Sequence, residues 1–253
     1  MRTSEQEPAQ PVEGIAVDSA YSRFYDQVAA AQVADWLPTE PAWIVELSDG
    51  CGRFTQQLLD AGHTVLQGAD RPPTGTPTGP GWRPVVTDPR TLSWLADASV
   101  DAVLAESRAL SLCLATEVTA RELCRVLRPG GRLLLVVDSL VTGLARLADL
   151  GRWAELADVP SADCVLVPQA DGRISRCFRP QELRELLLAA GLELEWIRPR
   201  TVLTPASVER AVAEGGPAAY PALVHAESTL ARQGEREAAG MHLVASARRP
   251  ERP

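Results

Sequence analysis

Short apolar segments alternate with amphipathic segments along most of the chain. Apolar runs bounded by turn residues are typical of buried strands, whereas apolar residues every three or four positions are typical of helices that pack on one face. On this basis strands are predicted at 43–47, 64–69, 84–87, 100–105, 132–137, 192–197 and 241–247. Helices are predicted at 19–37, 53–61, 115–127, 180–190, 204–214 and 221–232. The alternation predicts an α/β fold with a doubly wound, mostly parallel sheet.

Four stretches depart from this alternation. Residues 71–84 are rich in proline and glycine and are not expected to form regular structure. The Arg-Pro-Gly-Gly sequence at 128–131 is expected to separate a helix from the next strand. Residues 141–156 have the spacing of one amphipathic helix, and an Asp-Gly pair at 171–172 predicts a β-hairpin between 164–167 and 173–178.

The composition excludes several classes of function. All 25 basic residues are arginine, so lysine-dependent phosphate loops and Schiff-base enzymes are excluded. The net charge of -8 and the pI near 5.0 argue against a nucleic-acid partner. No apolar run is long enough for a membrane span, no leader is visible, and the five cysteines form no metal-binding pattern. We therefore expect a cytoplasmic protein with no metal site, no membrane partner and no nucleic-acid partner.

A glycine-bearing turn follows the first predicted strand and leads into a helix. Gly50 and Gly52 would let a ligand approach the backbone there, although Thr55 stands where a dinucleotide-binding fingerprint has its third glycine. Asp70 lies at the end of the second strand, 20 residues after Gly50, where a carboxylate accepts hydrogen bonds from ribose hydroxyls. Asp88, at the end of the third strand, is placed to accept one from an adenine amino group.

This arrangement resembles the class I S-adenosylmethionine-dependent methyltransferases. The segment 46–52 (Glu-Leu-Ser-Asp-Gly-Cys-Gly) is similar to the family's acidic and glycine-rich first motif, with Ser48 at the first glycine. Residues 100–104, 127–131, 178–183 and 190–192 resemble later family segments. The resemblance implies a Rossmann-like three-layer sandwich, whose seven-stranded, mostly parallel sheet has one antiparallel strand and helices on both faces.

The resemblance also implies the cofactor and the residues that hold it. The cofactor would be S-adenosyl-L-methionine, with S-adenosyl-L-homocysteine as product. Glu46 would hold its ammonium, Gly50 and Gly52 would admit its methionine part, and Asp70 and Asp88 would bind ribose and adenine. The whole predicted cofactor set is Tyr25, Glu46, Ser48, Gly50, Gly52, Asp70, Arg71, Asp88, Pro89 and Glu106.

Catalytic and acceptor-binding residues are predicted from position and chemistry. Glu106 and Ser107 follow the fourth strand and should face cofactor and acceptor, and His225 is a candidate base. Tyr21 on the first helix, and Arg173 and Arg176 on the hairpin, are candidates for acceptor binding, with Arg179 aligned with Arg173.

The domain organisation follows from this resemblance. Residues 1–15 are expected to form a disordered tail, and 16–253 one methyltransferase-like domain. Within that domain, 16–40 would be an N-terminal helical lid, and 139–177 and 200–238 would be insertions that cap the substrate. We expect a monomer or homodimer.

Two main hypotheses for function remain open. The first is methyl transfer to an oxygen or nitrogen of a small molecule, either a specialised metabolite or a cofactor. The absence of an Asp/Asn-Pro-Pro-aromatic motif, together with the acidic charge, argues against a nucleic-acid substrate. The second is a methyltransferase-like ligand-binding protein or non-methylating cyclase, which Ser48 favours. A nicotinamide dehydrogenase is a weaker third option, because this chain lacks the third glycine of the fingerprint and has no clear hydride-transfer residue.

Overall fold

The computed structural model describes residues 19–48, 52–75, 77–88, 91–169, 171–233 and 240–251. Its strands are β1 (Trp43–Ser48), β2 (Thr64–Ala69), β3 (Trp82–Val86), β4 (Val100–Ala105), β5 (Leu127–Asp138), β6 (Val165–Pro168), β7 (Ile174–Cys177), β8 (Glu193–Arg200) and β9 (His242–Arg248). Its helices are α1 (Ala20–Trp36), α2 (Thr55–Asp60), α3 (Thr116–Val126), α4 (Leu140–Asp149), α5 (Trp153–Asp158), α6 (Pro180–Ala189), α7 (Pro205–Gly215) and α8 (Ala219–Gln233). The predicted tail over 1–15 lies outside the described residues.

Seven strands form one sheet in the order β3-β2-β1-β4-β5-β9-β8. Neighbouring strands from β3 to β5 pair in parallel, whereas β9 pairs antiparallel with both β5 and β8. The expected seven-stranded sheet with a single antiparallel strand is therefore confirmed. Strands β6 and β7 form a separate two-stranded sheet, which is the predicted hairpin.

Two apolar layers cover the sheet. On one face, α1 and α2 pack on alternate residues of the central strands, among them Ile44, Leu104 and Val136. On the other face, α3 and α6 pack on the intervening residues, such as Val45 and Val103. Successive residues of a strand point to opposite faces. At the strand ends, the residues two positions after Ile44, Leu104 and Val136 therefore also lie on the α1 side.

Three predicted boundaries are wrong in detail. The Arg-Pro-Gly-Gly stretch lies within β5, because Leu127 pairs with Val100 before the ladder shifts to Arg132 opposite Ala102. The helix predicted over 141–156 is two helices, α4 and α5, with Gly151 between them in the left-handed region at φ +64°. Strand β3 begins at Trp82, inside the segment predicted to be irregular.

The helices and the hairpin within 139–177 and 200–238 pack around the sheet rather than in it. Helices α7 and α8 pack on α1 through a cluster that includes Tyr21, Val208 and Tyr220. Helix α4 packs on the β6–β7 hairpin through Leu147, Val165 and other apolar residues. In the described part of the chain, no helix is long and apolar enough to cross a membrane.

Candidate active site

The candidate site lies at the carboxyl edge of the parallel strands, on the α1 side of the sheet. The alternation that places Ile44 under α1 also places Glu46 and Ser48 on that side, and both are buried. Asp138 continues the series of Leu134 and Val136 in the same way. In an open α/β sheet this edge is where ligands bind.

Glu46 fixes the start of the helix that follows the glycine turn. Its Oε1 accepts a hydrogen bond from the Phe54 backbone N–H at 3.0 Å, and its Oε2 accepts one from the Thr55 hydroxyl. Phe54 has no side-chain cap of its own, so Glu46 supplies the acceptor that α2 otherwise lacks. The proposed contact between Glu46 and a cofactor ammonium therefore comes in addition to a structural role.

Gly52 occupies a position where a side chain would be strained and crowded. Its φ of +57° is left-handed, and a Cβ there would lie 2.5 Å from both Gln67 Nε2 and Thr55 Oγ1. Gly50 and Pro89 lie outside the described residues. A left-handed glycine between the first strand and the following helix is compatible with the glycine-rich turn at which α/β folds bind ligands.

Ser48 makes a contact that the sequence did not predict. Its hydroxyl accepts a hydrogen bond from Gln67 Nε2 at 3.3 Å, and Gln67 Oε1 accepts one from Trp82 Nε1 at 2.9 Å. The Ser48 side chain is thus held by β2 and β3, beside the glycine turn. A serine at the family's first glycine position is accommodated there by a glutamine on the neighbouring strand.

The two strand-end aspartates differ in exposure. The Asp70 side chain is 61 % exposed, and its Oδ1 lies 3.9 Å from Arg71 Nε. Asp88 is half-buried after β3. Both lie where the sequence predicted them, at the carboxyl ends of adjacent strands.

Glu106 forms a buried ion pair. Its two carboxylate oxygens accept hydrogen bonds from Arg200 at 2.8 and 2.9 Å, and the Arg200 side chain is completely buried. Arg200 also donates to Gln32 on α1 at 2.6 Å. Burial disfavours the charge on Arg200, but Glu106 and Tyr25 outweigh burial and hold the pKa of the guanidinium above its usual range.

Asp138 is the centre of a second buried group. Arg108 Nη1 lies 3.0 Å from its Oδ1, His242 Nε2 lies 3.4 Å from the same oxygen, and Ser175 donates to its Oδ2. Burial would raise the pKa of this carboxyl, but Arg108 and His242 outweigh burial and hold the pKa well below its usual range. Arg108 has a left-handed φ of +56°, a costly conformation that clusters at functional sites.

Tyr25 joins the two buried groups. Its hydroxyl lies 3.3 Å from His242 Nδ1 and accepts a 3.5 Å hydrogen bond from Arg200 Nη1. The Arg53 guanidinium, directly after Gly52, lies 5.4 Å from the centre of the Tyr25 ring. One network therefore runs from the glycine turn through α1 to the ends of β5, β8 and β9.

Ser107 has a buried hydroxyl that the described residues leave without a hydrogen-bond partner. A buried polar group without a partner is costly, and Trp36 Nε1 and Trp94 Nε1 are in the same condition among the described residues. The position next to Glu106 fits a bound ligand at the end of β4.

The three hairpin arginines contact different neighbours. Arg173 pairs with Asp171 at 2.5 Å in the turn, and Arg176 donates to Thr116 Oγ1 at 2.6 Å. Arg179 lies beyond β7, at the start of α6, and donates to the backbone carbonyls of 159 and 162. The expected alignment of Arg173 with Arg179 on one strand face is therefore wrong.

Two further candidates lie among the surrounding helices. Tyr21 is buried where α1, α7 and α8 meet, and burial raises its pKa to about 12. His225 is exposed on α8, in a groove of about 560 Å³ between α1 and α8 that Arg232 and Asp35 also line. Of the predicted catalytic residues, Glu106 lies in the network at the sheet edge, whereas His225 lies in this groove.

Sequence reasoning missed four residues of this site: Gln67, Asp138, Arg200 and His242. Asp138 carried a usable signal, because it ends the most apolar predicted strand just as Asp70 ends the second. Of the other three, Arg200 and His242 carried none, since their roles depend on pairing between strands that are distant in the sequence. Gln67 carried none because its contacts with Ser48 and Trp82 depend on the register of neighbouring strands.

Comparisons with known proteins agree with this geometry. Residues 45–135 match the family described as methyltransferase domain. No curated protein matches the chain. Three similar solved structures share the fold.

The first of the three is the 1,6-didemethyltoxoflavin-N1-methyltransferase of Burkholderia thailandensis, with bound S-adenosylhomocysteine. It is 19% identical, with a TM-score of 0.54, covering 92% of this chain and 80% of that one. A putative S-adenosylmethionine-dependent methyltransferase from Listeria monocytogenes is 12% identical, with a TM-score of 0.61, covering 89% and 99%. The [4+2]-cyclase SpnF is 18% identical, with a TM-score of 0.56, covering 98% and 87%.

The sheet order and the glycine turn define a Rossmann-like methyltransferase fold. Residues 45–135 match the methyltransferase-domain family, and this match agrees with the class I resemblance found in the sequence.

Proposed function

We propose that the protein transfers a methyl group from S-adenosyl-L-methionine to an oxygen or nitrogen of a small molecule. The observation that carries the proposal is the match of residues 45–135 to the methyltransferase-domain family, together with the left-handed Gly52 that follows β1. Bound S-adenosylmethionine would supply an activated methyl group. Catalysis by this chain is then chiefly a matter of orientation, because a well-placed acceptor gains most from proximity.

The cofactor is proposed to extend along the carboxyl edge from β4 to β3. Gly52 would admit its methionine part, with Glu46 toward the ammonium and Ser48, Gly50 and Tyr25 nearby. The exposed carboxylate of Asp70 suits ribose hydroxyls, with Arg71 beside it. Asp88 and Pro89 would meet the adenine, and Glu106 and Ser107 would border the methyl group and the acceptor.

The acceptor is proposed to enter beneath the surrounding insertions. Segments 139–177 and 200–238 supply α4, α5, the hairpin, α7 and α8, and 16–40 supplies α1 as a lid. Arg173, Arg176 and Tyr21 remain proposed acceptor contacts, and His225 a proposed base. We propose a cytoplasmic monomer or homodimer without a nucleic-acid partner.

Titration with cofactor tests the proposal directly. We expect the purified chain to bind S-adenosylmethionine and S-adenosylhomocysteine by calorimetry, and to be stabilised against heat by both. Asp70→Asn should weaken binding about tenfold or more, because a charge-assisted hydrogen bond contributes roughly 1.5–3 kcal/mol.

Asp171→Asn is the matched control for Asp70→Asn. Asp171 is also an exposed carboxylate next to an arginine, but it lies in the hairpin turn. Arg176→Ala should likewise spare cofactor binding. No heat and no thermal shift at millimolar cofactor would end the methyltransferase proposal, and equal affinity of the Asp70 and Asp171 variants would refute the site map.

A non-methylating cyclase or binding protein is the second candidate. Ser48 at the first glycine favours it, and so does the pairing of Glu106 with Arg200, which occupies a carboxylate otherwise placed for proton transfer. The similar structure of a [4+2]-cyclase shows that the fold also hosts such chemistry. Formation of one S-adenosylhomocysteine per methylated small molecule would decide for transfer.

A further inference from the structure

We propose that the Tyr25 hydroxyl takes the proton from the methyl acceptor, and that His242 and Asp138 form the relay behind it. This inference rests on the proposed methyl transfer. It assigns Tyr25 as the catalytic residue, and His242 and Asp138 as positioning residues that act through it.

Strand register brings the relay together. His242 lies opposite Asp138 in the β5–β9 ladder and opposite Arg200 in the β8–β9 ladder. Paired residues of neighbouring strands project to the same face, so these three side chains form one row under α1. Tyr25 projects from α1 onto this row, and its ring meets the His242 ring edge-on at 5.5 Å.

The hydrogen bonds fix the direction of proton transfer. Asp138 is ionised and can only accept, so the proton on His242 must be at Nε2, 3.4 Å from the Asp138 carboxylate. Burial lowers the pKa of His242, which keeps the imidazole neutral and leaves Nδ1 as an acceptor. The Tyr25 hydroxyl therefore donates to Nδ1 across 3.3 Å.

The Tyr25 oxygen retains capacity to accept. A hydroxyl has two lone pairs, and the 3.5 Å hydrogen bond from Arg200 uses one of them. Tyr25 is buried in this structure, and its second lone pair is the position proposed for an O–H or N–H group of the acceptor. The Arg53 guanidinium, which follows Gly52, lies 5.4 Å from the centre of the Tyr25 ring, and the Tyr25 oxygen contacts Arg200 at the end of β8 and His242 at the start of β9.

The charges around the relay cancel. Arg53 pairs with Asp26 at 2.8 Å, Arg200 with Glu106 at 2.8 Å and Arg108 with Asp138 at 3.0 Å. The thiol of Cys177 also faces Asp138, and burial raises the pKa of this thiol, so it stays neutral. Protonation of His242 thus adds one positive charge beside these ion pairs, with the Asp138 carboxylate 3.4 Å from Nε2.

The proton step balances without a further reactant. As the acceptor oxygen or nitrogen forms its bond to the methyl carbon, the carbon–sulfur bond breaks and its electron pair stays on sulfur. The acceptor proton passes to Tyr25 Oη while the Tyr25 proton passes to His242 Nδ1. Asp138 stabilises the resulting imidazolium, as the aspartate of a hydrolase triad does, and once the products have left the proton returns through Tyr25 Oη to solvent.

The first test reads the protons directly by ¹⁵N nuclear magnetic resonance of labelled histidine. The chain has three histidines, so loss of one signal set in His242→Gln assigns the resonances. We expect a neutral Nε2–H tautomer, and an Nδ1 resonance that moves downfield in Tyr25→Phe as its hydrogen bond is lost. A proton on Nδ1, or no change in Tyr25→Phe, would overturn the relay.

The second test places Tyr25 beside the methyl group. A phenol oxygen at that position favours the cationic S-adenosylmethionine over the neutral S-adenosylhomocysteine. Tyr25→Phe should therefore lower the ratio of their affinities about threefold to tenfold, the range for one contact of hydrogen-bond strength. Tyr220→Phe is the control, because it removes a hydroxyl that donates to a backbone carbonyl between α8 and α1.

The outcomes separate this inference from the proposed function. If the parent binds both compounds but Tyr25→Phe leaves the ratio unchanged, the relay fails and methyl transfer stands. If the parent binds neither compound, methyl transfer fails and the relay fails with it.

Discussion

The ion pair between Glu106 and Arg200 makes a quantitative prediction about stability. Glu106→Gln keeps the size of the side chain but removes its charge, and it leaves a fully buried guanidinium facing a neutral amide. Breaking a buried ion pair from one side costs about 3–5 kcal/mol, because the remaining charge is not solvated. At about 2–4 °C per kcal/mol for a chain of this size, the melting temperature should fall by about 6–20 °C.

The assay is chemical and thermal unfolding of Glu106→Gln beside a matched control. Glu193→Gln makes the same chemical change at an exposed pair with Arg248, where both side chains are about half exposed, and should cost less than about 1 kcal/mol. The double variant Glu106→Leu/Arg200→Met should be more stable than Glu106→Gln, since no buried charge is left. A Glu106→Gln loss no larger than that of Glu193→Gln would refute the buried pair.

Three further predictions concern the turn and the buried titrating groups. Gly52→Ala should be about 1–3 kcal/mol less stable than Gly62→Ala in urea unfolding. Both glycines have positive φ, but only at Gly52 would the new Cβ lie within 3 Å of other side chains. Equal losses of stability in the two variants would contradict the crowding at Gly52. Burial lowers the pKa of His63, so the contribution of neutral His63 to stability is present above pH 6.5 and is lost as the pH falls. The variant His63→Asn keeps an acceptor for the Ala42 N–H, and it should make the free energy of unfolding less dependent on pH between about pH 7 and 5. The depressed pKa of Asp138 means that its ionised carboxylate contributes fully to stability above about pH 4 and loses this contribution below it. Asp138→Asn should therefore weaken the dependence of the free energy of unfolding on pH below about pH 4. An unchanged dependence there would count against an ionised carboxylate.

The fold follows from the sequence because its main signals are local. Buried strands such as β2 and β4 have the predicted bounds, since each is an apolar run between clear turns. The error at 128–131 has a non-local cause: Gly130 N–H bonds to the carbonyl of Arg249, and Arg249 N–H bonds to the carbonyl of Gly131. Pairing with the far end of the chain turns a stretch with the composition of a turn into part of a strand.

The residues of the candidate site likewise divide into those with a local signal in the sequence and those whose partners are distant in the sequence. The sequence predicted Gly52, Asp70 and Asp88 as cofactor contacts because their chemistry is visible at the ends of strands that follow one another. It also suggested Glu106 as a base, but it did not reveal Arg200, which is 94 residues away and takes up both carboxylate oxygens.

The relay shows why such partners cannot be read from one sequence. Asp138, His242 and Arg200 become a row only when β9 inserts antiparallel between β5 and β8 in one particular register. A slip of one residue would turn His242 to the other face of the sheet, away from Tyr25. Each of these residues alone is a polar residue at the end of a strand. Their interaction depends on how the strands pair, and a single sequence does not show that pairing. Substitutions that shift the register of β9 should therefore disrupt the His242 tautomer even where they touch none of the residues of the relay.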